Sequence, residues 1–327
     1  MASTMRVVKA FRACHLSVSN AARSREFFVK QLGMVETAPV GNLTGAGVGN
    51  KGGTMVSLGF PQKQEGEMDL WLTEVKDATA SAAGDPGNLY WKIGIIVTDL
   101  DCAVAKLRER GVRISDPSQF RDIGYLAHLT DPDGLTIELL QRTFEHKTKL
   151  PEEPELVNQV LGTRATLSHI TLRTGMDLGG SSKFFSDTLG LKLLSVQPVE
   201  PYAFSLFFFA PSGLAHKEKM VREDDLFAVE NREWLWQRPV TVLELQQRTR
   251  GDFCPSFSPG ALGLREIVLD VETVPADGKP EGESEGSDAD EKRSKEVLPL
   301  KLDQEGMSGM GGEVKAPEGT PLRFLPV

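Results

Sequence analysis

Apolar and polar residues alternate over short stretches of this chain, and each stretch runs into a segment of helical period. Residues 167–194, LSHITLRTGMDLGGSSKFFSDTLGLKLL, read as strand, turn, amphipathic helix and strand. Residues 13–36, ACHLSVSNAARSREFFVKQLGMVE, repeat the plan. Both carry a histidine on the strand, a Ser/Asn/Asp-rich turn, Phe-Phe on the helix and Leu-Gly where it stops, glycine being the usual cap just past a helix end. A third unit opens with YWKIGIIVTDLDCAVAKLRERGVRI (90–114) and a fourth with LREIVLDVE (264–272), after which the pattern is lost. Internal repetition of this kind predicts four modules, at about 11–75, 90–142, 165–248 and 262–327.

The repeats divide the chain into a first domain over 1–145 and a second over 165–327. Between them, 146–164 has the prolines and charges of an exposed linker. Residues 275–296 are acidic, rich in Gly and Ser and poor in large apolar side chains, which predicts a disordered insertion in the fourth module. TPLRFLPV (320–327) reads as a last strand returning to the sheet.

Composition narrows the function classes. The 327 residues suffice for two domains with buried cores. A net charge of −9, with no basic stripe, argues against nucleic acid. No apolar run approaches the roughly 20 residues that cross a bilayer, the longest being AFSLFFFA. Three scattered cysteines, Cys14, Cys102 and Cys254, build no disulfide framework and suit a reducing compartment. Strand-like alternation begins almost at the first residue, so the expectation is a cytoplasmic protein with no membrane contact, a short organelle transit sequence being the alternative.

The chemistry lies on the strands. Successive side chains of a strand point to opposite faces, so His169 and Arg173 share one side. Glu138, in DPDGLTIELL, is flanked by Ile137 and Leu139 facing the other way. A buried carboxylate there needs a metal or a cation to offset its desolvation.

WKIGIIVTDLDCAVAKLRERGVRI followed by YLAHLTDPDGLTIELLQ resembles one half of glyoxalase I, and HITLRT, KFFSDTLGLKLL, AFSLFFFA and VTVLELQQ resemble the other. The chain is thus similar to the vicinal oxygen chelate superfamily. The resemblance implies an α+β fold of tandem βαβββ modules, in which two curved mixed sheets cup a divalent metal, with zinc or nickel the leading candidates. Ligands come from the first and last strands of each contributing module. The resemblance also implies a monomer with an internal pseudo-dimer and a small-molecule substrate. Carried over, modules two and three offer Lys92, Glu138, His169 and Glu244, whereas modules one and four offer His15, Trp71, Glu266 and an apolar residue near Phe324. The second set has lost an acid to tryptophan, so His15 is expected to be structural or vestigial. Pairing of module two with three is favoured, because the best-matching halves then meet. Pairing of one with two and three with four remains the alternative.

Within the favoured cup, His169, Glu244 and Glu138 are the metal ligands that the resemblance implies, and Glu138 and Glu244 are the candidate catalytic bases. Lys92 stands where a histidine ligand is usual, and an ammonium has no lone pair to give. It serves the substrate or pairs with Glu138. His128 shares the inward parity of its strand, as ligand, proton shuttle and substrate contact or as a packed histidine. Arg173 matches an arginine that clamps a glutathione carboxylate, the alternative being a local salt bridge. The implied function is that of a lactoylglutathione lyase, which isomerises the hemithioacetal of glutathione and a 2-oxoaldehyde such as methylglyoxal to a thioester. The alternative is a non-catalytic binding protein with a degenerate metal site. A ring-cleaving dioxygenase wants a second histidine where this chain has Glu266.

Overall fold

A computed structural model describes residues 4–38, 55–78, 80–147, 159–162, 164–175, 183–215, 219–251, 255–275, 313–315 and 321–326. Apart from Pro275, the proposed insertion 275–296 lies outside the described residues, as do 148–158 and 163 of the linker and Cys254.

Module one contains β1 (Thr4–Val18), α1 (Ala21–Glu26, continued by a wider helical turn to Gln31), β2 (Val35–Glu36), β3 (Met55–Gly59) and β4 (Asp69–Glu74). Module two contains β5 (Tyr90–Val97), α2 (Leu100–Glu109), β6 (Ser118–Phe120), β7 (Gly124–Thr130) and β8 (Thr136–Gln141). Module three has β9 (Thr166–Thr174), a helical turn at Phe184–Thr188, β10 (Leu191–Val199), β11 (Phe204–Pro211), α3 (Glu230–Trp236) and β12 (Val242–Arg248). Module four retains β13 (Gly263–Pro275), β14 (Glu313–Lys315) and β15 (Pro321–Pro326).

The helices begin and end for local reasons. Asn20 and Asp99 cap α1 and α2, their side-chain oxygens accepting from the backbone N–H of Arg23 and Cys102. Gly33 and Gly190 stop the two Phe-Phe segments at φ +77° and +67°, conformations that cost a residue with a Cβ about 1 kcal/mol or more. The repeated Phe-Phe pairs have the same geometry, edge-on at 5.4 Å, with Phe28 and Phe185 turned into the core.

Two curved mixed sheets result, giving an α+β fold. Seven strands run β14-β15-β13-β1-β4-β3-β2 and eight run β10-β11-β12-β9-β5-β8-β7-β6. β5 pairs antiparallel with β9, so modules two and three share a sheet as the best-matching halves suggest; β1 pairs antiparallel with β13, joining module one to four. One core runs behind both sheets. Ile93, Ile95, Ile137 and Leu139 point into it with Val104 and Leu107 of α2, which leaves the opposite side chains of β5 and β8 to the concave face. Glu138 therefore faces the cup. Among the described residues, no helix is long and apolar enough to cross a membrane.

Candidate functional site

The eight-stranded sheet brings side chains from two modules, two and three, to one point. At its centre, Gly94 of β5 lies opposite His169 of β9 and beside Glu138 of β8. Lys92 lies opposite Thr171, which lies beside Glu244 of β12. The two halves are related by a pseudo-two-fold: Lys92, Gly94 and Glu138 correspond to His169, Thr171 and Glu244.

Glu138, His169 and Glu244, all buried, bring one potential ligand atom each within 4.8 Å of one another. His169 Nε2 is 3.3 Å from Glu138 Oε1 and 3.4 Å from Glu244 Oε2. Neither contact has hydrogen-bond alignment, so the buried Nε2 lacks a hydrogen-bond partner, as does Glu244 Oε1. Ligand atoms around a tetrahedral ion bound at about 2.0–2.1 Å stand about 3.3–3.4 Å apart. Ser168 Oγ bonds the other ring nitrogen of His169 at 3.0 Å, and Thr171 Oγ1 donates to Glu244 Oε2 at 3.0 Å. Such outer partners orient metal ligands. These three residues fit a divalent metal.

Lys92 departs from that scheme. Its buried Nζ donates to Glu138 Oε2 at 2.6 Å and lies 3.7 Å from Glu244 Oε2. Burial alone would lower its pKa, but the two carboxylates outweigh burial and raise it. Burial likewise would raise Glu138; the Lys92 ammonium, with His128 and His169, overcomes it and holds the carboxyl well below its usual range. His128 Nε2 meets Glu138 Oε2 at 3.0 Å from a half-exposed position on β7.

Arg173 shares the face of His169 but is otherwise committed. Its Nη1 donates to the carbonyls of Asp85, Asn88 and Tyr90 at 3.0, 3.0 and 3.2 Å. Burial lowers its pKa to about 10. The ring of Trp91 lies between the two cations, 5.3 Å from Arg173 and 4.8 Å from Lys92.

Lys92, His128, Glu138 and Glu244 line a cavity of about 260 Å³. Its remaining wall is apolar and largely aromatic: Trp91, Phe120, Tyr202, Phe204, Phe208 and Trp236, with aliphatic residues between them. Trp236 anchors this wall by donating its indole N–H to Ile123 O at 2.9 Å, with its ring 6.2 Å from that of His169. The sequence reading passed over Trp236, Tyr202 and Gly94. Only Gly94 left a signal, an isolated glycine inside a strand pattern, which marks close approach.

At the corresponding residues of the seven-stranded sheet, the His15 and Glu266 side chains are paired with polar neighbours. His15 Nδ1 bonds Glu266 Oε1 at 2.7 Å, and His15 Nε2 bonds Thr73 Oγ1 at 2.8 Å. Arg323 holds the other Glu266 oxygen at 2.9 Å. Trp71 packs edge-on to His15 at 5.9 Å and fills the cup.

The family model of the Glyoxalase/Bleomycin resistance protein/Dioxygenase superfamily matches residues 10–139. Glyoxalase I from Zea mays is 18% identical with a TM-score of 0.59, over 99% of this chain and 93% of that one. A mutant of the same maize enzyme gives 17% and 0.59, over 99% and 94%. A putative dioxygenase from Bacillus subtilis is 12% identical with a TM-score of 0.51, over 98% and 86%. No curated protein matches the chain. At these identities the structural likeness speaks to fold. Residues 10–139 thus match the model of the Glyoxalase/Bleomycin resistance protein/Dioxygenase superfamily, and the chain as a whole has the fold seen in glyoxalase I from Zea mays.

Proposed function

We propose that the protein is a glyoxalase I-like isomerase that moves protons between adjacent carbons of a small α-oxygenated substrate, by preference the hemithioacetal of a 2-oxoaldehyde. The observation that carries this reading is the carboxylate cluster at the polar wall of the cavity. There two buried carboxylates from separate repeats, Glu138 and Glu244, flank the unpartnered Nε2 of His169 at 3.3 and 3.4 Å.

Each residue has a part. His169, Glu138 and Glu244 would hold a divalent metal, whose contribution when bound is Lewis-acid polarisation of two vicinal oxygens. Glu244 has one oxygen held by Thr171 and one without a partner, so its free oxygen takes the carbon-bound proton and returns it to the neighbouring carbon. The hydroxyl proton must cross between the two substrate oxygens in the same turnover. His128, half-exposed and 3.0 Å from Glu138, is placed to carry it. Atoms balance, since the hemithioacetal and the thioester are isomers. The apolar wall excludes water and takes the aldehyde's side chain. Arg173, spent on three carbonyls, offers little grip on a glutathione carboxylate, so glutathione is the thiol to try first rather than one the site selects strongly.

The test follows thioester absorbance with glutathione and a 2-oxoaldehyde, with Zn²⁺ or Ni²⁺ supplied. Loss of one proton-transfer group costs roughly 10²–10⁴ in rate, so Glu244→Gln should fall by that factor while still folding. A wild-type rate no faster than the uncatalysed reaction removes the isomerase. The Lys92–Glu138 ion pair favours one competing reading, a non-catalytic carrier of apolar ligands. In that case wild type would bind an aromatic ligand and leave its carbon-bound protons unexchanged in D₂O.

A further inference from the structure

The cluster contains its own cation. Glu138 and Glu244 bring two carboxylates and Lys92 returns one ammonium, all within hydrogen-bond or near-contact distance of one another or of His169. Two carboxylates buried this deeply cannot stay ionised together without a counter-charge. Here the chain provides it at the position that a fourth ligand would take.

The contacts say how Lys92 and a metal would interact. Glu138 turns Oε2 to Lys92 at 2.6 Å and Oε1 to His169 at 3.3 Å, so one carboxylate is shared between the ammonium and the candidate ligand set. Glu244 Oε2 is shared in the same way, 3.7 Å from Lys92 and 3.4 Å from His169. An ion arriving among the three ligand atoms therefore meets an ammonium across a single carboxylate, in surroundings of low dielectric where like charges repel strongly. The lysine stem has no room to retreat into the sheet, since Lys92 is buried against β9 and β8. On its cavity side lies the ring of Trp91, 4.8 Å from Nζ, a face that attracts a cation.

We propose that Lys92 is a built-in competitor that sets the metal affinity of the site: its ammonium neutralises Glu138 and Glu244 when no metal is bound, and a divalent ion binds only by weakening that ion pair. The inference rests on reading His169, Glu138 and Glu244 as a metal cluster and adds a regulator to it. The cluster is then stable without metal, which a three-ligand site lacking the lysine would not be. Metal occupancy follows the free concentration of divalent ion instead of being permanent. An ammonium pushed toward Trp91 would meet the substrate's oxygens at the cavity wall.

The experiment compares wild type, Lys92→Gln and Lys92→His by calorimetric titration with Zn²⁺ alone, and by thermal melting in chelator. The expectation is that Lys92→Gln binds Zn²⁺ at least tenfold more tightly than wild type. Lys92→His, which adds a ligand as well as removing the charge, should gain more. Both should melt below wild type in chelator and recover with Zn²⁺. If Lys92→Gln is too unstable to purify without metal, Lys92→His purified with and without Zn²⁺ gives the same comparison. Equal or weaker binding by the variants, or an unchanged melting temperature in chelator, overturns the proposal alone. Absence of binding by all three chains overturns the metal reading, and the proposal with it. Neither result depends on the isomerase assay.

Discussion

Gly94 lies directly opposite His169 across the β5–β9 pair, and a Cβ on residue 94 would lie 1.9–2.3 Å from three atoms of the imidazole ring. The glycine is what lets that ring lie flat over the sheet with Nε2 between the two glutamates. Gly94→Ala must move either the ring or the backbone of a central strand. Overpacking of this kind costs about 1–3 kcal/mol. The expected outcome is a folded variant of that reduced stability by urea denaturation, with Zn²⁺ binding lost. Retention of wild-type metal affinity would mean that His169 does not need its present position.

Removing one partner of a buried ion pair costs about 3–5 kcal/mol, because the other charge is left unpaired. Lys92→Met in chelator should lose about that much, and Lys92→Met combined with Glu138→Leu should regain most of it. The pH dependence follows from the directions of the shifts. Glu138 is held below its unfolded pKa, so its contribution is present above about 4.5 and lost only in stronger acid. Lys92 is raised, so its contribution is present below about 10.5 and lost in stronger alkali. Stability from this pair should be flat from pH 5 to 10, so the difference in urea midpoint between wild type and Lys92→Met should hold constant across that range.

Glu67 gives the opposite sign. Burial raises its pKa from 4.5 to about 7, although Thr166 donates to it at 3.3 Å. An acid raised in the folded state favours folding at low pH, and that contribution is lost as pH rises through 4.5 to 7. The shift corresponds to about 3 kcal/mol. Glu67→Gln should therefore be more stable than wild type at pH 8, by up to about 3 kcal/mol, and indistinguishable from it near pH 4.5. A wild type whose urea midpoint does not fall between pH 5 and 8 would show that Glu67 is solvated.

What the sequence made legible follows from periodicity. Alternation placed Glu138 on the concave face, and the family resemblance pointed to His169 and Glu244 on matching strands, so the three residues that come together at the candidate site could be named from the sequence. Module pairing was readable only in part, since it depends on which strand edges meet between separate modules, β5 with β9 and β1 with β13. The cavity was not readable. Its wall is assembled from β6, β11, the turn after β10 and α3, and nothing in the spacing of Phe120, Tyr202 and Trp236 says that they converge. The commitment of Arg173 was hidden for a related reason: its acceptors are backbone carbonyls, which leave no mark in a sequence.

The second cup tests the rule that a histidine and a glutamate at the right positions are not enough. Both ring nitrogens of His15 are taken, both Glu266 oxygens are held, and Trp71 occupies the space a ligand would need. Metal analysis of the whole protein should give at most one divalent ion per chain, and His15→Ala should leave that number unchanged. The same substitution leaves buried Glu266 short of a partner and should cost about 1–3 kcal/mol. A second equivalent of tightly bound metal, lost in His15→Ala, would revive the seven-stranded sheet as a site.

Substrate preference should follow the cavity wall. A phenyl group buries on the order of 100 Å² more apolar surface than a methyl group, worth about 2.5 kcal/mol at ~25 cal/mol per Å². If that surface is buried in the transition state, an aryl 2-oxoaldehyde should exceed methylglyoxal in kcat/KM by roughly 70-fold. Leu206, on the wall beside Phe204 and Phe208, offers the complementary test. Leu206→Trp fills the space and should reduce the aryl substrate's kcat/KM by at least tenfold while sparing the methyl one. Equal kcat/KM for the two aldehydes in wild type would mean that the aldehyde's side chain points away from the aromatic wall, and that this space serves the thiol instead.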